Sequence, residues 1–190
     1  MLTHCGTGEI TTERLHLRPF QYSDNEDMLK YWASDPAIQH MYSEPVYTNT
    51  DEVRVLLDRY ISSYQKEDYY RWAIIESDTN TCIGQIAIFL IDHKNHFCEI
   101  EYCIGSLFQK RGYCSEAVRV VIDYAFKKIN IHKMQVCHKE NNMASKGVIE
   151  KCGFTYEGMM RDYFFIDGGY VSRLSYSMLR SEWEKQTASR

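Results

Sequence analysis

The sequence predicts a mixed α/β domain whose central sheet opens as an antiparallel meander and then takes a parallel step. Two observations predict it. Residues 70–105 read as three successive strands joined by short polar turns. After them the pattern changes to strand–helix–strand–helix–strand, and such a crossover returns the chain parallel. With only three prolines, no Gly/Ser-rich linker and no internal repeat, one domain over residues 1–190 is the simplest organisation.

The elements follow in order. Arg14 to Phe20 alternates apolar and polar residues, as an opening strand does. Ser23 and Glu26 give a capping-box signal for a helix through Met28, Leu29 and Trp32, ending before Pro36. A second helix starts near Asn49 or Thr50. Its Val53, Leu56, Leu57, Tyr60, Ile61 and Tyr64 share one apolar face. Tyr70 to Glu76, Cys82 to Ile91 and His96 to Gly105 form the meander, with turns at 77–80 and 92–95. A polar loop, Ser106 to Cys114, leads into a helix from Ser115 to about Lys128. Then come a strand at Lys133 to His138 and a short helix at Ala144 to Lys151, closed by Gly153. Strands at Phe154 to Gly158 and Tyr163 to Ile166 precede a hairpin turn, Asp167-Gly168-Gly169, into Tyr170 to Leu179.

Composition excludes several function classes. A chain of 190 residues with 44% hydrophobic content buries its core without a disulfide or metal staple. The net charge of −4 argues against nucleic-acid binding, whose footprint is basic. No apolar run approaches the ~20 residues that span a bilayer, and Met1 to Ile10 lacks the pattern of a signal peptide. Seven cysteines without a CxxC pair read as buried, reduced thiols, so a cytoplasmic protein is expected. His93 and His96 form an HxxH without a third ligand, which reads as a surface turn, and no metal is expected. P-loop, GxGxxG and GxSxG signatures are absent.

The chemistry concentrates between Ile104 and Ala117. There a strand ends, a loop containing Gly112 turns, and a helix begins. The first N–H groups of a helix lack intrahelical partners and carry partial positive charge, so such a turn suits a phosphate. Gly112 allows close backbone approach, small Cys114 and Ser115 leave room, and Lys110 and Arg111 add charge. An ordinary strand-to-helix turn with a flexible glycine fits the same residues. Cys114 also stands where a helix N-terminus depresses a thiol pKa.

Gln109-Lys110-Arg111-Gly112-Tyr113-Cys114 resembles the acetyl-CoA loop of the GNAT acetyltransferase superfamily, [QR]-x-x-G-x-[GA], with Cys114 in place of the last small residue. Ser115-Glu116-Ala117 resembles that family's helix opening, and Glu99 to Gly105 its fourth strand. Asn142-Met143-Ala144-Ser145, then Glu150-Lys151-Cys152-Gly153-Phe154 and Glu157-Gly158, are similar to a block of the branch holding the ribosomal-protein N-terminal acetyltransferases. Thr12 to Arg18 matches that branch's TERLxLR start, so the resemblance runs from about Thr12 to Trp183.

The resemblance implies a GNAT fold with helices on both faces of the sheet, and direct transfer of acetyl from acetyl-CoA to a primary amine. It implies a cofactor site of Cys103, Ile104, Gly105, Gln109, Lys110, Arg111, Gly112, Tyr113, Cys114, Ser115, Asn142 and Ser145. A backbone N–H near Cys103 or Ile104 would hold the oxyanion. Ser145 would protonate the leaving thiolate, and Asn142 would contact the cofactor arm, while both also cap a helix. Glu101 is the candidate base. By strand parity it shares a face with Glu99, opposite Ile100, Tyr102 and Ile104. The ribosomal branch places a base after the GF…EG block, where this chain has Phe164, and Asp162 is close but out of register.

Tyr69, Tyr70, Trp72, Tyr163, Phe164 and Phe165 are expected to line the acceptor cleft. A protein N-terminal amine is the expected acceptor, in a monomer or homodimer. The alternatives are a small amine, which acidic Asp51, Glu52, Glu67 and Asp68 would suit, or a non-catalytic CoA-binding regulatory domain.

Overall fold

A computed structural model describes residues 1–42, 44–166 and 168–188. Its chain begins with β1 (Ile10–Thr11) and β2 (Leu15–Arg18). Helix α1 (Asn25–Met28) continues as a wide π turn over Leu29–Ala33, and α2 (Pro36–Tyr42) and α3 (Thr50–Ser63) follow. The meander is β3 (Tyr70–Glu76), β4 (Thr81–Asp92) and β5 (Phe97–Ile104). Then come α4 (Tyr113–Tyr124) with a π extension over Ala125–Ile129, β6 (Lys133–Lys139) and α5 (Met143–Lys151). The chain closes with β7 (Thr155–Ile166), β8 (Gly169–Leu179) and α6 (Arg180–Ala188).

The eight strands form one sheet in the order β1-β2-β3-β4-β5-β6-β8-β7. Every neighbouring pair is antiparallel except β5–β6, the parallel step that the sequence pattern requires. Side-chain alternation divides the core between the two faces. Trp72, Ile74, Cys98, Ile100 and Ile104 pack with α4 and α5, through residues such as Val118, Val121 and Ile149. Ala73, Ile75, Cys82 and Cys103 pack on the other side with Met28, Trp32, Val53, Leu56 and Leu57. Helices therefore cover both faces.

Several local expectations are corrected. The first helical segment is capped two residues earlier, at Gln21 rather than Ser23, because Asp24 bonds the Gln21 N–H at 2.8 Å and holds Arg18 at 2.7 Å. Between Pro36 and Asn49, where the sequence reading places no element, the chain is helical again. It forms α2, since proline's fixed φ suits a first helical position. Helix α4 starts at Tyr113 rather than Ser115, and Ser106–Phe108 is a 3-10 turn. The two short strands expected after Phe154 are one strand, β7, whose register shifts between Met160 and Phe164. Of the expected hairpin turn, Asp167 lies outside the described residues. Helix α3 matches its expected span, with Asn49 accepting from the Glu52 N–H at 3.0 Å.

Candidate functional site

Strands β5 and β6 pair only at Phe97↔Lys133, Cys98↔Met134 and Glu99↔Gln135. Beyond Glu99 they diverge, β5 staying with β4 to Ile104 and β6 with β8 to Lys139. The gap opens a cleft of about 890 Å³, lined by residues of both strands, α4 and α5.

Which backbone groups face the gap follows from one bond. Gly105 N–H donates to Ile83 O on β4 at 2.8 Å. Polar groups alternate sides along a strand, so those of Ile104 and Tyr102 point away from β4, into the cleft. The Ile104 carbonyl is met there by the Gln109 side-chain amide at 3.0 Å. Gln109 thus ties the loop back to the strand end. The Ile104 N–H shares that open edge and offers a donor to an incoming carbonyl.

The loop after β5 is anchored at both ends. Ser106 Oγ donates to Asp35, and Tyr31 meets Phe108 edge to face at 5.1 Å. Gly112 is left-handed, at φ 86°, and acts as N-cap of α4 without a side-chain cap. The first α4 bond runs from Glu116 N–H to Gly112 O at 3.0 Å, which leaves the N–H groups of Tyr113, Cys114 and Ser115 unpaired within the helix. These three residues line the cleft, as do Gln109, Lys110 and Gly112. This is an anion-binding geometry. Two separated sequence blocks brace it from behind: Thr12 Oγ1 and Arg14 Nε donate to Glu116 at 2.6 and 2.8 Å, and Arg14 Nη1 holds Arg111 O at 3.0 Å.

On the opposite bank, Asn142 caps α5 by accepting from Ser145 N–H at 3.1 Å. Ser145 Oγ lies 3.1 Å from the Tyr102 hydroxyl. Burial pushes the Tyr102 phenol well above its ordinary pKa, so it stays protonated beside that serine. Tyr102 and Ser145 therefore sit on the α4/α5 side.

The other face of β5 carries carboxylates. Glu101 Oε1 pairs with Arg71 Nη2 at 2.6 Å, and Arg71 also donates to Gln85 at 2.7 Å and lies 4.4 Å from the Tyr60 ring centre. Both carboxylate oxygens of Glu99 accept from Arg173 Nη2, each at 2.8 Å. Glu101 and Ser145 thus reach one cleft from opposite faces of the sheet, as strand parity requires.

Of the expected site residues, Cys103, Ile104, Gln109, Lys110, Gly112, Tyr113, Cys114, Ser115, Asn142, Ser145 and Glu101 lie at this cleft. Gly105 and Arg111 lie behind it. An added Cβ on Gly105 would stand 2.8 Å from Tyr31 O, so this glycine serves packing. Asp162 is exposed on the β7 irregularity and does not line the cleft. The depressed thiol expected at Cys114 is reversed: burial raises its pKa well above the usual value. Tyr163 and Phe164 line the cleft, but Tyr70 and Trp72 are core, and Phe165 is exposed. Tyr69 borders a separate hollow of about 230 Å³. None of Asp51, Glu52, Glu67 and Asp68 reaches the cleft, and Glu52 instead accepts from Thr48 N–H at 2.7 Å.

Sequence reasoning missed Arg71, Arg173, Tyr102 and Lys139. Their partners lie on other strands or helices, and nothing local in the sequence signals such pairs.

Residues 14–155 match the profile of an acetyltransferase (GNAT) domain. The chain is 28% identical over 174 residues to the uncharacterized N-acetyltransferase p20 of Bacillus licheniformis, covering 92% of this chain and 97% of that protein. It is 23% identical to a spermidine N(1)-acetyltransferase of Vibrio cholerae, covering 85% of each. The crystal structure of a ribosomal-protein-S5-alanine acetyltransferase from Vibrio fischeri superposes with a TM-score of 0.79 at 20% identity, over 93% of this chain and 98% of that one.

Proposed function

Because this chain belongs to the GNAT acetyltransferase family, we propose that it moves acetyl from acetyl-CoA directly onto a protein N-terminal amine. The observation that carries the reading is the through-sheet cleft, which brings Glu101 from one face and Ser145 from the other to one gap. Acetyl-CoA lies along the α4/α5 side, its phosphates on the Gly112 turn and its thioester carbonyl on the Ile104 N–H. The acceptor enters past Glu101. That carboxylate takes the amine proton, directly or through water, and the neutral nitrogen attacks the carbonyl carbon. The C–S bond breaks, and Ser145 supplies the proton to the departing sulfur with Tyr102 behind it. Direct transfer needs no metal. Seven cysteines outside any disulfide suit a reducing cytoplasm, where a monomer or homodimer would act.

The spermidine acetyltransferase relative raises a second reading, a polyamine acceptor. A polycation needs several carboxylates, and among the described residues that line the cleft only Glu99 and Glu101 carry one; Glu99 is taken by Arg173, which leaves Glu101, beside Arg71, to meet a single amine. That favours a monoamine.

Isotopically labelled acetyl-CoA, offered with a pool of peptides and a pool of small amines, tests the reading. Label is expected on peptide N-termini, with Ser145→Ala slowing transfer about 10²-fold. Label on small amines alone would overturn the peptide acceptor. A second expectation concerns the loop. Gly112→Val forces a branched side chain into left-handed backbone, a strain of about 1–3 kcal/mol. The KM for acetyl-CoA should rise about tenfold or more in steady-state kinetics, equivalent to ~1.4 kcal/mol. An unchanged KM would remove the phosphates from this turn.

A further inference from the structure

Resting on the reading of the cleft as an amine-acceptor site, we infer that the acceptor carries a carboxylate near its amine, held by Lys139 and Arg173. These two residues are direct cross-strand partners on β6 and β8, and both line the cleft. Like charges placed opposite each other in a sheet repel, and such a pair persists where something else offsets it. One carboxylate does so in part: Glu99 holds Arg173. Among the described residues no carboxylate bonds Lys139, although its side chain is buried.

The polar partner of Lys139 is the His40 carbonyl in the last turn of α2, and its ammonium stands 5.3 Å from the Phe164 ring centre. One carbonyl uses one of the three N–H bonds of an ammonium. Burial disfavours the charged amine and lowers its pKa, a penalty that an arriving anion would relieve. Arg173 adds a buried Nε with no hydrogen-bond partner among the described residues.

The wider charge balance points the same way. On the acceptor face, Glu99 is matched by Arg173 and Glu101 by Arg71, which leaves Lys139 as the surplus cation among the described residues. Glu44 stands further out, near the Arg71–Glu101 pair, where burial and then Glu101 hold its carboxyl above the usual range. Glu140, next to Lys139 in sequence, turns away to accept the Ser172 N–H at 3.0 Å. A ligand with an ammonium at Glu101 and a carboxylate at Lys139 complements this pattern. A polyamine does not. The carboxylate can come from a free amino acid or from an acidic residue near a peptide N-terminus.

Matched acceptors test this and separate the two sources. One arm compares alanine with alaninamide. The other compares peptides beginning Ala-Asp and Ala-Glu with their Ala-Asn and Ala-Gln counterparts. In at least one arm the acid should exceed its amide in kcat/KM about tenfold. Lys139→Met should erase that preference and Lys139→Arg should keep most of it. A purely structural Lys139, capping α2, would instead lower acid and amide rates alike, and that result overturns the proposal. Equal use of acid and amide by the unaltered protein, which needs no variant, overturns it too. Binding gives a readout independent of turnover. With CoA present, N-acetylalanine or N-acetyl-Ala-Asp should raise the melting temperature more than the matching amide. If no acceptor is acetylated yet this difference holds, the transferase reading fails while the anion site stands. If the difference is absent, the anion site fails.

Discussion

Glu101→Gln is expected to lower kcat/KM about 10³-fold, the scale of a lost general base. Gln keeps the length of the side chain and can still accept from Arg71, which retains Gln85 at 2.7 Å and the Tyr60 ring. The fold should therefore survive with a loss of about 1–2 kcal/mol from the weakened ion pair. The pH profile separates chemistry from scaffolding. Without a carboxylate to take the proton, only the fraction of acceptor already neutral in solution reacts. An α-amine titrates near ~8, so the variant's rate should climb with pH up to that value, where the unaltered enzyme levels off earlier. A variant within a few-fold of full activity would reduce Glu101 to the counter-ion of Arg71.

Gly84→Ala is expected to be the most damaging small substitution to stability. Gly84 lies on β4 opposite Ile104, beside the register shift at Ile74/Ile75. A Cβ there would stand 2.3 Å from the Cys103 carbonyl oxygen and 2.9 Å from an Ile104 methyl. The first contact is backbone, so the methyl can only be accommodated by pushing β5 away. Overpacking of this kind costs about 3 kcal/mol, or a fall of ~10 °C in Tm for a chain of this size. Because Ile104 carries the donor proposed for the carbonyl, kcat should drop as well, even well below the new Tm. Calorimetry and initial rates on the same preparation would show both. A fall in Tm with unchanged kcat would detach the Ile104 N–H from the reaction.

Much of this architecture was legible in the sequence for local reasons. Period-two runs at residues 70–105 and the apolar face of α3 need only their own neighbours to be recognised. The Gly112 loop is likewise a contiguous signal, and Asn142 caps α5 as its residue type suggests. What was not legible is set by distance along the chain. Arg71 meets Glu101 thirty residues on, and Arg173 meets Glu99 across 74. Ion pairs of that separation leave no trace in composition or spacing. The π turns at Leu29–Ala33 and Ala125–Ile129 are also silent in sequence, since one extra residue in a helical turn barely shifts its periodicity. Cys114 failed for a different reason. Its position at a helix start was read properly, but desolvation outweighs the dipole once the thiol is enclosed.

The divergence of β5 from β6 has a consequence for the protein before it meets any substrate. Residues 100–104 belong to an interior strand, yet on one side they hold the hydrogen-bonding potential of a sheet border. Such borders recruit any extended chain that passes, including another molecule's. A cofactor arm rich in amides would occupy that border and complete the ladder. Saturation at a hundred times Kd would add about 2.7 kcal/mol to folding stability. Chain without the cofactor is then expected to self-associate more readily than loaded chain, a difference that light scattering with and without CoA would show.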